Sequence, residues 1–279
     1  MKRHWYLPIP VRLTAIVLSA SFLMMYGMAA NKSDSEDSEP ISISFPVTAD
    51  PDTQVVEDYQ AEQDAQQRET ERQLEEQVRQ QRYEQRATDW KLLLVNADHP
   101  LSDDYTPDLT DIGGGMQFDR RAAEHLLRMI QEGQAAGYNL FVCSAYRDND
   151  YQQQLYDRQV DKQLSYGKSE QEALRDAARV VAAPGTSEHA TGLAADIITQ
   201  EYASQYSSLT RGFENTDAFR WLKKHCAEYG FILRYTEEKT DLTGVIYEPW
   251  HFRYVGTEAA AEIMDEDLCL EEYLGKAES

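Results

Sequence analysis

Two histidines and an aspartate stand where they could hold a metal ion. His189 and Asp196 lie seven residues apart in the stretch Pro184-Gly-Thr-Ser-Glu-His-Ala-Thr-Gly-Leu-Ala-Ala-Asp196, and His251 closes a distant second segment, Glu248-Pro-Trp-His251. Two imidazoles and one carboxylate leave one position of a tetrahedral zinc open, the arrangement of a hydrolytic centre. Glu248 precedes His251 by three residues, and Pro249-Trp250 fixes the chain between them, so its carboxylate can face the metal without ligating it. Its role would be general base for a metal-activated water, returning the proton to the leaving amine. Taken singly, each histidine is more often a satisfied core residue, and Asp196 could be a turn carboxylate. The four together shift the balance toward catalysis. His125 and His225 have no ligand-type partners in register and read as structural, and Cys143 has no histidine at a spacing that would support a thiol nucleophile.

Such a site needs rigid elements from two parts of the chain. Gly192 permits a sharp change of direction into a strand expected over 193–198, which carries Asp196, while His251 begins a strand expected over 251–255. Further strands are expected at 138–145 and 231–235. Helices are expected at 120–136, where Gly137 stops the apolar period, in two pieces over 150–183 divided near Tyr166-Gly167, at 216–229 before Gly230, and from Thr257 onward. Thr243-Gly244 reads as a hairpin-like turn. The stretch with Pro100, Pro107 and Gly113-Gly-Gly115 reads as irregular chain wrapped over the surface. Strands joined by short turns after a block of helices imply an α+β fold, a small antiparallel sheet with flanking helices.

The rest of the 279 residues has a different character. Lys2, Arg3 and Arg12 precede an uncharged run at 13–30, the pattern of a signal peptide or a membrane anchor, and either would send the remainder of the chain out of the cytoplasm. Residues 31–88 form an acidic spacer, expected to be flexible to about 56, and then a Gln/Glu/Arg-rich stalk helix without a coiled-coil stripe. The domain proper is expected over 89–270, with a tail at 271–279. A net charge of −22 excludes a phosphate-binding surface and with it nucleic acid as a partner. Three widely spaced cysteines give no disulfide framework, and the sequence carries no sign of oligomeric state.

Four motifs in order, Ser144-Ala-Tyr-Arg147 with Tyr151-Gln152, Ser187-Glu-His-Ala-Thr-Gly-Leu-Ala-Ala-Asp196, Tyr229-Gly-Phe-Ile-Leu-Arg-Tyr235 and Tyr247-Glu-Pro-Trp-His-Phe-Arg-Tyr254, resemble the VanY-type D-alanyl-D-alanine carboxypeptidases and their L,D-carboxypeptidase relatives. The resemblance covers about 90–263. It implies Zn2+ held by His189, Asp196 and His251, Glu248 as catalytic base, and Arg147 as the cation that stabilises the developing oxyanion. It also implies that Gln152 and Ser187 hold the terminal residue of the substrate and its carboxylate; read from the residues alone, Gln152 could be a solvated helix-surface residue and Ser187 a turn or capping residue. The implied activity is removal of the terminal D-Ala from peptidoglycan stem peptides outside the membrane, with L,D-cleavage of tetrapeptide stems, a cross-link endopeptidase and a non-catalytic wall-binding module as alternatives. Ala145 and Ala190 depart from the family pattern, where glycine and a longer polar residue are common.

Overall fold

The computed structural model describes residues 51–276, with side chains described from residue 58. The expected leader or anchor at 1–30 and most of the spacer lie outside the described residues. Among the described residues no helix is long and apolar enough to cross a membrane. By its contacts the chain divides into Met1–Tyr59 and Gln60–Ser279, and the second unit carries the site.

Helix α1 (Pro51–Ala87) starts earlier than the flexible spacer expected to about 56 allows. Pro51 explains the difference, because a proline in the first helical position lacks only an amide that would be orphaned there anyway. The helix is exposed along most of its length and is laced by local pairs, Arg72 with Glu69 and Gln67 with Glu71. Its last turn is tied down. Arg86 donates to the Tyr273 carbonyl at 2.8 Å and to Glu262 at 2.9 Å, with its guanidinium 3.5 Å from the centre of the Tyr273 ring.

The stretch expected to be irregular holds a hairpin, β1 (Leu109–Gly113) and β2 (Met116–Asp119), turned by Gly114 and Gly115 at positive φ. Next come α2 (Ala123–Ala135), β3 (Leu140–Ser144), α3 (Asn149–Ser165) and α4 (Glu170–Ala178). Asp148 caps α3 by accepting from the Tyr151 amide, and Ser169 with Glu172 forms a reciprocal cap on α4, so both helices start where the sequence supplies an acceptor. A tight turn at Glu188–Thr191 leads into β4 (Ala194–Thr199) and α5 (Gln200–Gln205).

The helix expected over 216–229 is α6 (Asp217–His225) followed by a tightened 3-10 turn, Cys226–Tyr229. Gly230 ends it at φ +82, where a Cβ would come within 2.8 Å of the Tyr254 ring. Then follow β5 (Phe231–Leu233), α7 (Thr240–Thr243), β6 (His251–Tyr254), α8 (Thr257–Asp265) and α9 (Leu270–Tyr273). Thr243-Gly244 is therefore the end of a helical turn and not a hairpin; a glycine at positive φ serves either purpose. Glu271 and Tyr273 in α9 are buried against the domain, which extends past 270.

The main sheet runs β3-β4-β6-β5, antiparallel at every pair. Alternation along the strands separates two faces. Ala195, Ile197, Phe252 and Tyr254 join the main core with Leu126 and Met129 of α2 and Phe219 and Leu222 of α6. A second cluster gathers Ile232, Val255, Ala259, Ile263 and Leu270 under α8 and α9. Each fully buried large apolar side chain contributes about 1.5–3 kcal/mol. Those contacts make the sheet stiff, and the opposite face of β4 and β6 carries Asp196, His251 and Arg253.

Candidate metal centre

His189, Asp196 and His251 come together although they lie on three different segments. One ligand atom from each lies within 4.8 Å of the other two, and all three residues are buried. Asp196 and His251 are register partners on β4 and β6. His189 arrives from the Glu188–Thr191 turn, which Gly192 reverses at φ +75. A side chain at 192 is strained: a Cβ would stand 2.9 Å from Leu109 and 3.2 Å from the Asp119 amide, whose N–H donates to the Gly192 carbonyl.

The imidazoles are held by their far nitrogens. His189 Nδ1 donates to the Ala145 carbonyl at 2.6 Å. That bond leaves the Nε2 lone pair free to point inward, 3.4 Å from Asp196 Oδ2 but without a hydrogen-bond partner among the described residues. His251 presents Nδ1 to Asp196 Oδ1 at 3.1 Å and Nε2 to Glu188 Oε2 at 3.4 Å. The two rings meet edge to face with centroids 5.0 Å apart. A buried nitrogen lone pair with no donor, beside a carboxylate and a second imidazole, is a donor set suited to zinc.

Glu248 sits on the turn before β6. Its amide donates to the Tyr235 carbonyl, its own carbonyl accepts from the His251 amide, and Oε2 lies 3.7 Å from His251 Nδ1. Burial lifts its carboxyl to about 8, with nearby Asp196 adding to the effect against the pull of His251. Asp196 behaves in the opposite way. Burial opposes its charge, yet His189 and His251 hold its carboxyl far below the usual carboxylate range. Burial and the Arg147 cation push His189 down to about 4. For His251 burial is outweighed by hydrogen bonds to Asp196 and Glu188, which lift it to about 9.

These residues open on a cavity of about 610 Å³ whose lining includes Arg147, Gln152 and Ser187. Arg147 follows β3, with its amide donating to the His189 carbonyl and its Nε buried without a partner among the described residues. Gln152 is not a helix-surface residue: it is 1% exposed, its Nε2 donates to the Ala182 carbonyl at 2.6 Å, and its Oε1 is unpartnered among the described residues. Ser187 occupies the cap position of the 188–191 turn but makes no capping hydrogen bond, which leaves its hydroxyl to the cavity. Val180, Val181, Val245 and Ile246 supply apolar wall, and Tyr247 and Trp250 also line it. His125 packs at a tilt against Tyr254 and His225 pairs with Glu228, away from the centre, and the three cysteines are free.

Sequence reasoning missed Glu188, which is 1% exposed. Burial opposes its charge, but the guanidiniums of Arg234 and Arg253 hold it well below its ordinary value. Arg234 also bridges to both oxygens of Glu271, at 2.9 and 2.6 Å. Arg253 reaches the Lys91 and Leu93 carbonyls. The signal was present in Phe231-Ile-Leu-Arg-Tyr235 and His251-Phe-Arg-Tyr254, where an arginine interrupts an otherwise apolar or aromatic strand.

Residues 115–257 match the family described as VanY, D-alanyl-D-alanine carboxypeptidase. A D-alanyl-D-alanine carboxypeptidase of Enterococcus faecalis is 38% identical over 186 residues, which cover 67% of this chain and 66% of that protein, just under two thirds of its length. Among solved structures, the vancomycin-resistance D,D-pentapeptidase VanY of a VanB-type cassette, in complex with Zn(II), is 38% identical with a TM-score of 0.60, covering 67% of this chain and 99% of that one. The L,D-carboxypeptidase LdcB is 36% identical with a TM-score of 0.56, covering 66% and 86%.

Proposed function

The chain belongs to the VanY family of D-alanyl-D-alanine carboxypeptidases, and we propose that within it this protein is a zinc-dependent D,D-carboxypeptidase that removes the terminal D-Ala from peptidoglycan stem peptides. The observation that carries the reading is the buried trio His189, Asp196 and His251, with an unpartnered inward nitrogen and Glu248 beside it. His189 Nε2, Asp196 and His251 Nδ1 would hold the ion. Zn2+ bound there supplies charge that polarises the scissile carbonyl and lowers the pKa of a water and of the neighbouring Glu248 carboxyl.

The protein's own groups do the rest. Glu248 takes a proton at its carboxylate and passes it to the leaving amine; its burial keeps it close to the neutral form, which suits a group that must both accept and donate. Arg147 offers its guanidinium to the oxygen that gains charge. Gln152 and Ser187 orient the terminal residue, and the free carboxylate of a chain end gives an acidic protein a reason to keep a cation in this cavity. The apolar wall excludes water from the bond being cut. The expected export signal and stalk agree with action at the cell wall, on an extracytoplasmic substrate.

Metal analysis of the purified protein, with wild type and Glu248→Gln assayed on pentapeptide and tetrapeptide stems, tests the reading. Zinc at one equivalent and D-Ala released from pentapeptides, lost in the variant, is the expected result. Full activity without metal, or wild-type rates from the variant, would sink it. The likeness to LdcB favours one second reading, L,D-cleavage. Release from tetrapeptides alone would establish that instead.

A further inference from the structure

We infer that Glu188 is a positioning residue that sets the tautomer of His251, and this rests on the zinc-centre reading above. Glu188 lies in the cavity wall behind His251, and its two oxygens are divided between two tasks. Oε1 accepts from Arg234 Nε and from Arg253 Nη1, each at 2.8 Å. Oε2 faces His251 Nε2 at 3.4 Å, on the side of the ring away from Asp196 and Glu248. Asp196 Oδ1 also faces the ring, 3.1 Å from Nδ1, but Asp196 would be a ligand of the ion. With the Asp196 oxygens turned to the metal, Glu188 is the acceptor left for the proton of neutral His251, which then stays on Nε2 and leaves the Nδ1 lone pair toward the trio.

A carboxylate is needed for this because both of its ends accept. Glutamine has one oxygen. With two guanidiniums on one side, that oxygen turns to the arginines and its amide N–H2 turns to His251. The imidazole then has to accept at Nε2 and carry its proton on Nδ1, where the metal belongs. The arginines thus do more than neutralise a buried charge: they make position 188 read the difference between Glu and Gln. Glu271 is the internal control, since it satisfies the far side of Arg234 and does not contact His251.

The test pairs zinc affinity, measured by chelator competition, with nitrogen-15 spectra of the histidine rings. In zinc-loaded wild type, His251 should carry its proton on Nε2 and show a metal-shifted Nδ1; the reverse assignment overturns the inference with no variant needed. Glu188→Gln should weaken zinc binding about 10- to 100-fold, and Glu271→Gln should stay within about twofold while losing thermal stability. Equal affinity in Glu188→Gln and wild type, or equal losses in the two variants, overturns it too. If Glu188→Gln fails to fold, the wild-type ring assignment decides. Wild type that binds no zinc fails the zinc-centre reading itself, a result distinct from zinc bound through the wrong nitrogen.

Discussion

Asp196 and His251 sit opposite each other across β4 and β6, with His251 Nδ1 3.1 Å from Asp196 Oδ1. Sheet register alone therefore delivers two of the three candidate ligands. A one-residue slip of either strand would turn its ligand to the face packed by α2 and α6, so the apolar alternation that fixes the register also fixes the metal site.

Glu248→Gln should retain zinc, since Glu248 is outside the trio, and should lower kcat by about 100- to 10,000-fold, the usual worth of a general acid–base group. Zinc content by atomic emission and D-Ala release from pentapeptide stems measure the two quantities on one preparation.

Arg147→Ala should lower kcat/KM by about 100- to 1,000-fold if the guanidinium faces the developing oxyanion. The same variant on cross-linked dimers separates exopeptidase from endopeptidase action. Product analysis of digested murein would show cross-links cut at an unchanged rate only for an endopeptidase that has no use for a carboxylate clamp.

Zinc uptake should release protons and strengthen as pH rises from 6 to 9. In the metal-free protein His251 is lifted to about 9, so it is protonated at neutral pH and must lose that proton to become a ligand. Calorimetry in buffers of different ionisation enthalpy counts the protons.

The metal-free protein should lose stability over the same range. A histidine raised from 6.5 to about 9 contributes stability that is fully present below 6.5 and lost as pH climbs through 9. Glu248, raised from 4.5 to about 8, acts in the same direction, its contribution fully present below 4.5 and lost by the time pH has climbed through 8. His189, lowered to about 4, works oppositely on the acid side and costs stability as pH falls from 6.5 toward 4. Melting temperature in chelator should therefore fall from pH 6.5 to 9, whereas between 6.5 and 4.5 the opposing slopes of His189 and Glu248 cancel and leave it nearly level.

Gly192→Ala should cost about 1–2 kcal/mol for the left-handed backbone alone, and more for the contact with Leu109 and the Asp119 amide. Because the turn carries His189, zinc affinity should drop along with the melting temperature. A loss of stability with unchanged affinity would separate the turn from the ligand it presents.

The sheet strands that carry the site and the trio itself were legible because their signals are local: short apolar runs bounded by glycine, and ligand-type residues at strand edges. The β1–β2 hairpin was not, because Pro107 and Gly113-Gly-Gly115 mark irregular chain and hairpin turn alike. Glu188 was missed for a different reason. A charged residue beside a histidine gives no hint of burial, and its partners Arg234 and Arg253 lie far along the chain on other strands. Gln152 was singled out only through the family resemblance, since from the residues alone a polar residue in a polar helix could equally be solvated; the Ala182 carbonyl is what holds it inside.

Glu271 gives the order of synthesis a meaning. A growing chain has all of its metal-facing side chains once His251 has emerged, yet Arg234 still lacks the carboxylate that occupies its far side, and α1 still lacks the Tyr273 carbonyl that Arg86 grips. Chains broken off in between would hold every recognisable motif around an unbalanced buried cation. Stability of the fold is thereby tied to translation reaching α9, and a truncated product should melt lower even though nothing that touches the metal position has been removed.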